Sequence, residues 1–256
     1  RKYMHFSDDP ANAMRAMKVR VGITRVDVYT ENLFDAKDIL SQYESTISNI
    51  NTLMTEAVVQ VSQGMTGTGD ASVRKAVASA LRGFQESILA AANTQFAGDY
   101  IFGGDNVGEK PFDIGPDDKL TYKGQPVDTG TFDAKERYID IGIGVEFDGS
   151  GKVILGSAMN IALSGAELLG TGVDGDGITN NIYNLLGMLA DKFENNDMTD
   201  VDTYYKKLQG MADDIRIQYV GIGEKTNYIT FFTERLNSEQ TNLLVKQNRL
   251  ESMDLA

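Results

Sequence analysis

The 256-residue chain has no cysteine, no tryptophan, one histidine and only four prolines. Without cysteine, a disulfide framework, a thiolate zinc site and a cysteine nucleophile are all excluded within this chain. The lone histidine, His5, leaves no histidine-centred metal cluster or triad, and it is expected to be an ordinary surface or cap residue. No proline falls between Pro10 and Pro111, so nothing of that kind interrupts a helix across this stretch. No helical stretch is apolar all round, which excludes a membrane span. Positive charge is also short. The net charge is −13, and it is concentrated: residues 97–200 hold 19 acids and 7 bases (−12), the rest 18 acids and 17 bases (−1). A strongly acidic, solvated middle argues against nucleic acid and against anionic lipid as partners.

What the chain does have is a seven-residue period. Leu208, Ile215, Ile222, Ile229, Leu236, Leu243 and Leu250 follow one another at that spacing. A strict seven-residue repeat on a helix of 3.6 residues per turn keeps one seam facing a partner helix. The chain supplies a partner: Val26, Tyr29, Leu33, Ala36, Leu40, Tyr43, Ile47, Ile50, Met54, Ala57 and Val61 alternate spacings of three and four. The predicted seam is therefore Val26, Leu33, Leu40, Ile47, Met54 and Val61 against the seven C-terminal positions. At about 1.5 Å per residue each helix would run roughly 60–80 Å, giving an elongated rod. The second heptad position of the C-terminal helix is mixed, reading Met211, Gln218, Lys225, Phe232, Glu239, Lys246 and Met253. Those residues form either the wet edge of the seam or a contact to another subunit.

Between these arms the pattern changes. Asp9 with Pro10 opens the first helix as N-cap and first helical residue, and that helix is expected over 10–63. A Gly/Thr-rich turn follows, and Asp70 or Ser72 caps a returning helix that ends near Gly98. Leu120–Tyr122, 137–141, 144–147 and 152–155 read as strands, the last two joined by a turn at Asp148-Gly149-Ser150-Gly151. A polar, glycine-rich stretch leads to a short helix over 179–195, and the long C-terminal helix starts near Asp200. The fold class is mainly α with a β insert: an antiparallel helical coiled-coil rod from 1–103 and 176–256, carrying a β-rich domain at 104–175. The chain opens on Arg1 with no visible signal peptide, and both edges read as cuts through a longer helical protein.

No chemistry emerges from the motifs. Asp148-Gly149-Ser150-Gly151-Lys152 lacks the first glycine of a phosphate loop, having Glu146 there, and lacks the helix that should follow. Asp174-Gly175-Asp176-Gly177 resembles the start of a calcium loop, but its twelfth position is Leu185 rather than glutamate. Gly142-Ile143-Gly144 lacks the third glycine and the βαβ setting of a dinucleotide fingerprint. The carboxylate pairs Asp117-Asp118 and Asp213-Asp214 lack a cleft that would desolvate one partner. No enzyme activity, cofactor or metal is expected.

Two segments resemble the flagellin superfamily of bacterial flagellar proteins. Ser7-Asp8-Asp9-Pro10, ahead of the long helix, is similar to that family's rod-domain start. Asn93-Thr94-Gln95-Phe96-Ala97-Gly98-Asp99-Tyr100-Ile101-Phe102-Gly103-Gly104 is similar to the segment of its hook–filament junction members, the hook-associated protein 3 type. Within it Asn93, Gly98, Tyr100, Phe102, Gly103 and Gly104 carry the likeness. Val220-Gly221-Ile222-Gly223-Glu224-Lys225-Thr226-Asn227 and the closing Glu251–Ala256 stretch add to it. The resemblance implies a structural subunit forming an adaptor ring between hook and filament. It implies as partners other copies of itself, the hook-side junction protein, flagellin and an export chaperone, and neither nucleic acid nor membrane. It also implies export through the flagellar type III channel to an extracellular site. At the position where many flagellins carry an arginine read by a vertebrate innate immune receptor, this chain has Thr55, so that recognition is not expected. The alternatives are a filament flagellin and, from another class, a calcium-dependent adhesin using the acidic insert.

Overall fold

The computed structural model describes residues 10–66, 70–104, 106–132, 136–154 and 156–251. The expected N-cap Asp9, with Ser7, Asp8, His5 and Met253, lies outside them. Helix α1 (Pro10–Met65) is continuous over 56 residues and α5 (Val201–Glu251) over 51. Between them come α2 (Ala71–Ala92), β1 (Gln95–Phe96), β2 (Asp99–Tyr100), β3 (Phe112–Ile114), β4 (Leu120–Tyr122), β5 (Gln125–Pro126), β6 (Tyr138–Ile139), β7 (Met159–Asn160), α3 (Gly165–Leu169) and α4 (Ile182–Glu194). All pairings are antiparallel, in sheets β1-β2, β3-β4-β5 and β6-β7. The architecture is mainly α with small β sheets.

The chain divides into two compact units. The first comprises 1–38, 137–161 and 224–256, the second 39–136 and 162–223. The expected insert, 104–175, is thus shared, with β6 and β7 in the first unit and β3, β4 and β5 in the second. Composition separates acidic loops from helical arms, whereas contacts group each loop with the helix face it covers.

In the second unit α2 and α4 run antiparallel. Arg74 donates to Asn196 near one end, Arg82 pairs with Asp191, and Gln85 Nε2 donates to the Tyr183 carbonyl at 2.8 Å. Gly187 lets the helices close on each other: a Cβ there would lie 2.7 Å from Gln85 Nε2. Helix α4 starts at Ile182 rather than 179 because Asn181 accepts from the Asn184 N–H as N-cap, and the Asn181 N–H is itself bonded to Thr179 Oγ1. Helix α2 stops at Ala92 rather than near Gly98, since Asn93 leaves helical geometry. At the start of α2, Asp70 occupies the N-cap position without a side-chain cap bond.

The expected strands at 144–147 and 152–155 are not strands. Only the bridge Phe147↔Val153 forms among the described residues, flanked by Asp148 N–H to Lys152 C=O and Ile154 N–H to Glu146 C=O. The turn between them is as expected. Asp148 Oδ1 accepts from Ser150 N, Ser150 Oγ and Lys152 N, and Gly151 takes φ 82°. Glycine on both sides (Gly144, φ 95°; Gly156, φ 92°) breaks the extended backbone after so few residues. The strand at 137–141 shortens to β6 because Gly142, at φ 86°, turns the chain. Helix α3 lies in the stretch read as a polar loop, and Ser164 Oγ accepts its Ala166 N–H.

The α4–α5 turn holds Asp197, whose pKa falls to about 2. The Thr199 backbone N–H contributes most, then the Thr199 hydroxyl, then the Lys192 ammonium at 3.0 Å. A carboxylate depressed in the folded state stabilises it above the unfolded value of 3.8, and that contribution is lost as pH falls through about 2. We therefore expect the thermal midpoint to drop on acidification from about pH 4 to pH 2, and Asp197→Asn to drop less steeply over the same range. An equal slope in parent and variant, read by circular dichroism, would contradict this assignment.

Candidate functional site

The predicted seam positions are buried almost throughout. On α1, Leu33, Leu40, Ile47, Met54 and Val61 are 0 % exposed and Val26 3 %. On α5, Leu208, Ile215, Ile222, Ile229 and Leu236 are at most 3 % exposed, while Leu243 and Leu250 are half-buried. Ala36, Tyr43, Ile50 and Ala57 fill the intervening α1 positions and are buried as well.

In the first unit α1 and α5 lie side by side. Arg20 meets Glu251 at 2.6 Å, Gln240 Nε2 donates to Asp27 Oδ1 at 2.5 Å, and a Cβ at Gly22 would sit 3.4 Å from Leu243. One number rises as the other falls, so the pair is antiparallel. The 137–161 segment covers this pair at Gly142. A Cβ there would lie 3.0 Å from Leu236 and 3.1 Å from Tyr29, at a φ of 86° that disfavours any side chain. Ile141, 1 % exposed, and Ile161, 2 %, are buried in the same unit. Of the Gly142-Ile143-Gly144 motif, Gly142 therefore works in packing, while Ile143 is exposed and Gly144 has no close neighbour.

In the second unit the seam residues Leu40, Ile47, Met54, Val61, Leu208, Ile215 and Ile222 belong to a core shared with α2 and α4. A Cβ at Gly64 of α1 would lie 2.6 Å from the Phe193 ring of α4. The mixed heptad position of α5 has no single role: Met211 and Phe232 are buried, Gln218 donates to the Glu167 carbonyl at 3.2 Å, and Glu239 and Lys246 are exposed.

The 93–104 segment forms a structural lock. The Asn93 side chain mimics a strand edge: Oδ1 accepts the Phe112 N–H and Nδ2 donates to the Phe112 carbonyl, both at 3.1 Å. Ala97 and Gly98, at φ 53° and 95°, make the two-residue turn between β1 and β2. The Tyr100 N–H donates to the Val107 carbonyl at 2.7 Å. Phe102 is wholly buried, its ring 5.4 Å from Tyr43. Tyr43 and Tyr122 donate their hydroxyls to the carbonyls of Ile101 and Phe102 at 2.9 and 3.0 Å. Gly103 has no room for a side chain, since a Cβ would meet Asn106 O at 2.5 Å, and Gly104 takes φ 64°.

A second polar node, not visible in the sequence, ties α4 to the sheet. Asp128 accepts from Thr179 Oγ1, from Asn184 Nδ2 at 3.0 Å and from Lys119 at 3.1 Å, while Asn184 Oδ1 accepts the Leu120 N–H at 2.9 Å. Only the linked partners make an acid tolerable this deep in the protein.

Of the candidate chemical motifs, Asp174 and Asp213 are taken up in internal bonds, whereas Asp117-Asp118, expected to lack a cleft, line one. Asp174 Oδ1 accepts from Asp176 N at 3.0 Å and Ile178 N at 2.9 Å, and its other oxygen pairs with Lys207. Asp213 pairs with Arg216 at 2.8 Å on an exposed face of α5. A polar cleft of about 430 Å³ between α2, α4 and the β3–β4 turn holds Asp117 and Asp118 beside Glu86, Lys119 and the Arg82–Asp191 pair. Burial raises the Tyr183 hydroxyl at its edge, with Arg82 opposing. No group of three or more metal-ligating side chains occurs among the described residues, and no helix there is long and apolar enough to cross a membrane. Thr55 is exposed and donates to the Asn51 carbonyl.

Residues 5–107 match the family model of the bacterial flagellin N-terminal helical region. A search among curated proteins gives no match. Among solved structures, a protein from Vibrio parahaemolyticus described as flagellar hook-associated superposes with a TM-score of 0.76 at 17% identity, covering 96% of this chain and 100% of that one. Hook-associated protein 3 from Legionella pneumophila gives 0.73 at 10% identity, over 91% and 98%. FlgL from Bacillus cereus gives 0.65 at 17% identity, over 90% and 99%. The chain thus has the fold of the flagellar hook-associated proteins and a flagellin-type N-terminal helical region.

The seam makes a direct prediction. Ile229→Asp places an unpaired charge where no solvent reaches, which costs several kcal/mol, about 3–5. Phe231→Asp, at a position 61 % exposed, should change stability by no more than about 0.5 kcal/mol. Urea denaturation of the two variants checks this, and equal effects would contradict the register.

Proposed function

We propose that this chain is a structural subunit of the bacterial flagellum, acting in an adaptor ring at the hook–filament junction. The reading is carried by one coincidence: a match to the flagellin N-terminal helical region in a chain that has the hook-associated fold over nine-tenths or more of its length. Its work is mechanical. The seam residues of α1 and α5 stiffen the subunit, and the Asn93–Gly104 lock joins α2 to the sheet region. In this proposal 1–103 and 176–256 form the load-bearing helical part and 104–175 the acidic part that faces solvent. The partners are other copies of the chain, the hook-side junction protein, flagellin and, before assembly, an export chaperone. The subunit leaves the cell through the flagellar type III channel and assembles outside it. A chain without cysteine suits that route, since no disulfide can form on entering an oxidising space. The role asks for no catalysis and no cofactor.

The filament-flagellin alternative draws on the family model, which is flagellin's own. The likeness to hook-associated structures over nine-tenths or more of both chains favours the junction. The calcium-adhesin alternative draws on the acidic insert, whose nearest likeness to a calcium loop is Asp174-Gly175-Asp176-Gly177. There both Asp174 oxygens are engaged, by two backbone N–H groups and by Lys207.

Deleting the gene in its host separates these readings. A junction subunit predicts cells with hooks but no filaments, with flagellin lost to the medium, and restoration of filaments by the gene in trans. Continued filament growth in the deletion strain would overturn the proposal, and loss of flagellin itself would favour the filament alternative.

A further inference from the structure

The cleft between α2, α4 and the β3–β4 turn has three walls, all in the second unit. Arg82, Gln85 and Glu86 stand three and four residues apart on α2, and Tyr183, Gly187 and Asp191 stand four apart on α4, so each set shares one helix face. The turn that closes the cleft is fixed by its own bonds. The Gly115 N–H donates to the Lys119 carbonyl at 2.8 Å, and Asp118, at φ 56°, donates its N–H to the Gly115 carbonyl at 3.2 Å. Both cations at the cleft are engaged within the protein, Arg82 by Asp191 and the Gln85 side-chain oxygen, Lys119 by Asp128. Glu86, Asp117 and Asp118 are exposed and pair with no cation among the described residues.

Tyr183 sets this cleft apart from the rest of the acidic surface. It lines the cleft and is only 6 % exposed, yet its hydroxyl makes no hydrogen bond among the described residues. Burial does most to raise its pKa, and Asp118 and Glu86 push it the same way against Arg82, so carboxylates from two walls act on the phenol. A buried hydroxyl without a partner is unfavourable until a ligand or a solvent molecule supplies one. We propose that the cleft binds a primary alkyl-ammonium ion, its N–H groups donating to the Tyr183 oxygen and to the carboxylates around it. Ile114 and Met188 on the walls give the alkyl stem apolar surface to lie on. An anion would meet three uncompensated carboxylates, and no group of three or more metal-ligating side chains occurs among the described residues to hold a bare metal ion. The volume of about 430 Å³ falls in the range of roughly 300–1,000 Å³ of small-ligand pockets. Two sources carry such an ion, a lysine side chain of another protein and a free polyamine.

Titrating the isotope-labelled full chain with Nα-acetyl-lysine amide and with spermidine, followed by amide chemical shifts, tests this. Saturable shifts at Glu86, Asp118 and Gly187 are expected with at least one probe, and none with Nα-acetyl-norleucine amide, which keeps the stem without the charge. Binding of the lysine amide alone identifies a protein source, binding of spermidine alone a polyamine. Tyr183→Phe keeps the ring and should weaken binding about tenfold, as for a lost hydrogen bond to a charged group, with helicity unchanged. Asp118→Asn, at an exposed left-handed position that asparagine tolerates, should weaken it about two- to fivefold. Asp213→Asn, on an exposed face of α5, should leave it unchanged. Failure of both probes to saturate would overturn the inference. So would shifts of equal size in the 174–177 loop, or parent affinity in both cleft variants, since either would make the probes mere counter-ions. None of these results bears on the junction reading, which the deletion strain tests separately.

Discussion

The structure depends on the antiparallel pairing of α1 with α5. Each helix commits a buried stripe at seven-residue spacing, Leu33, Leu40, Ile47 and Met54 on α1 and Leu208, Ile215, Ile222 and Ile229 on α5. Helices of this length hold in water through tertiary packing more than through propensity. Once the pair forms, it offers a groove. The backbone at Gly142 fits into it between Tyr29 and Leu236 because it has no side chain there. The 137–161 segment pairs only β6 with β7, two residues each, and its Gly142 lies against the helices at Tyr29 and Leu236.

The second unit solves a different problem. Its strands are two or three residues long, too short to hold by ladder bonds. Side chains supply what the ladders cannot. The Asn93 amide pairs with the Phe112 backbone, Asn184 takes the Leu120 N–H, and the tyrosine hydroxyls of Tyr43 and Tyr122 cap the carbonyls of Ile101 and Phe102. The segment that makes the chain look like a flagellar protein is therefore also the segment whose side chains replace secondary structure. Its residue types follow from geometry: left-handed backbone at Gly98 and Gly104, and no space for a Cβ at Gly103.

The long helices were legible because a seven-residue period needs only the order of apolar residues. Their ends and the short elements were less so. Strands at 144–147 and 152–155 looked plausible from alternation, but flanking glycines at positive φ end them after one bridge. Helix α3 carries a capping-box signal, Ser164 followed three residues later by Glu167, but the glycines around it mask so short a helix. The Asp128 node joins residues more than fifty positions apart, a distance over which local pattern carries no information.

The most direct measurement is the distance between spin labels placed by cysteine substitution at Asp27 and Gln240, whose side chains meet across the pair. With no native cysteine, labelling is confined to those sites. The account predicts one narrow, short distance distribution, as for helix axes about 8–10 Å apart, lost together with helicity in urea. A broad or long distribution in the folded protein would mean that the opening and closing helices do not pair, and the account would fail with it.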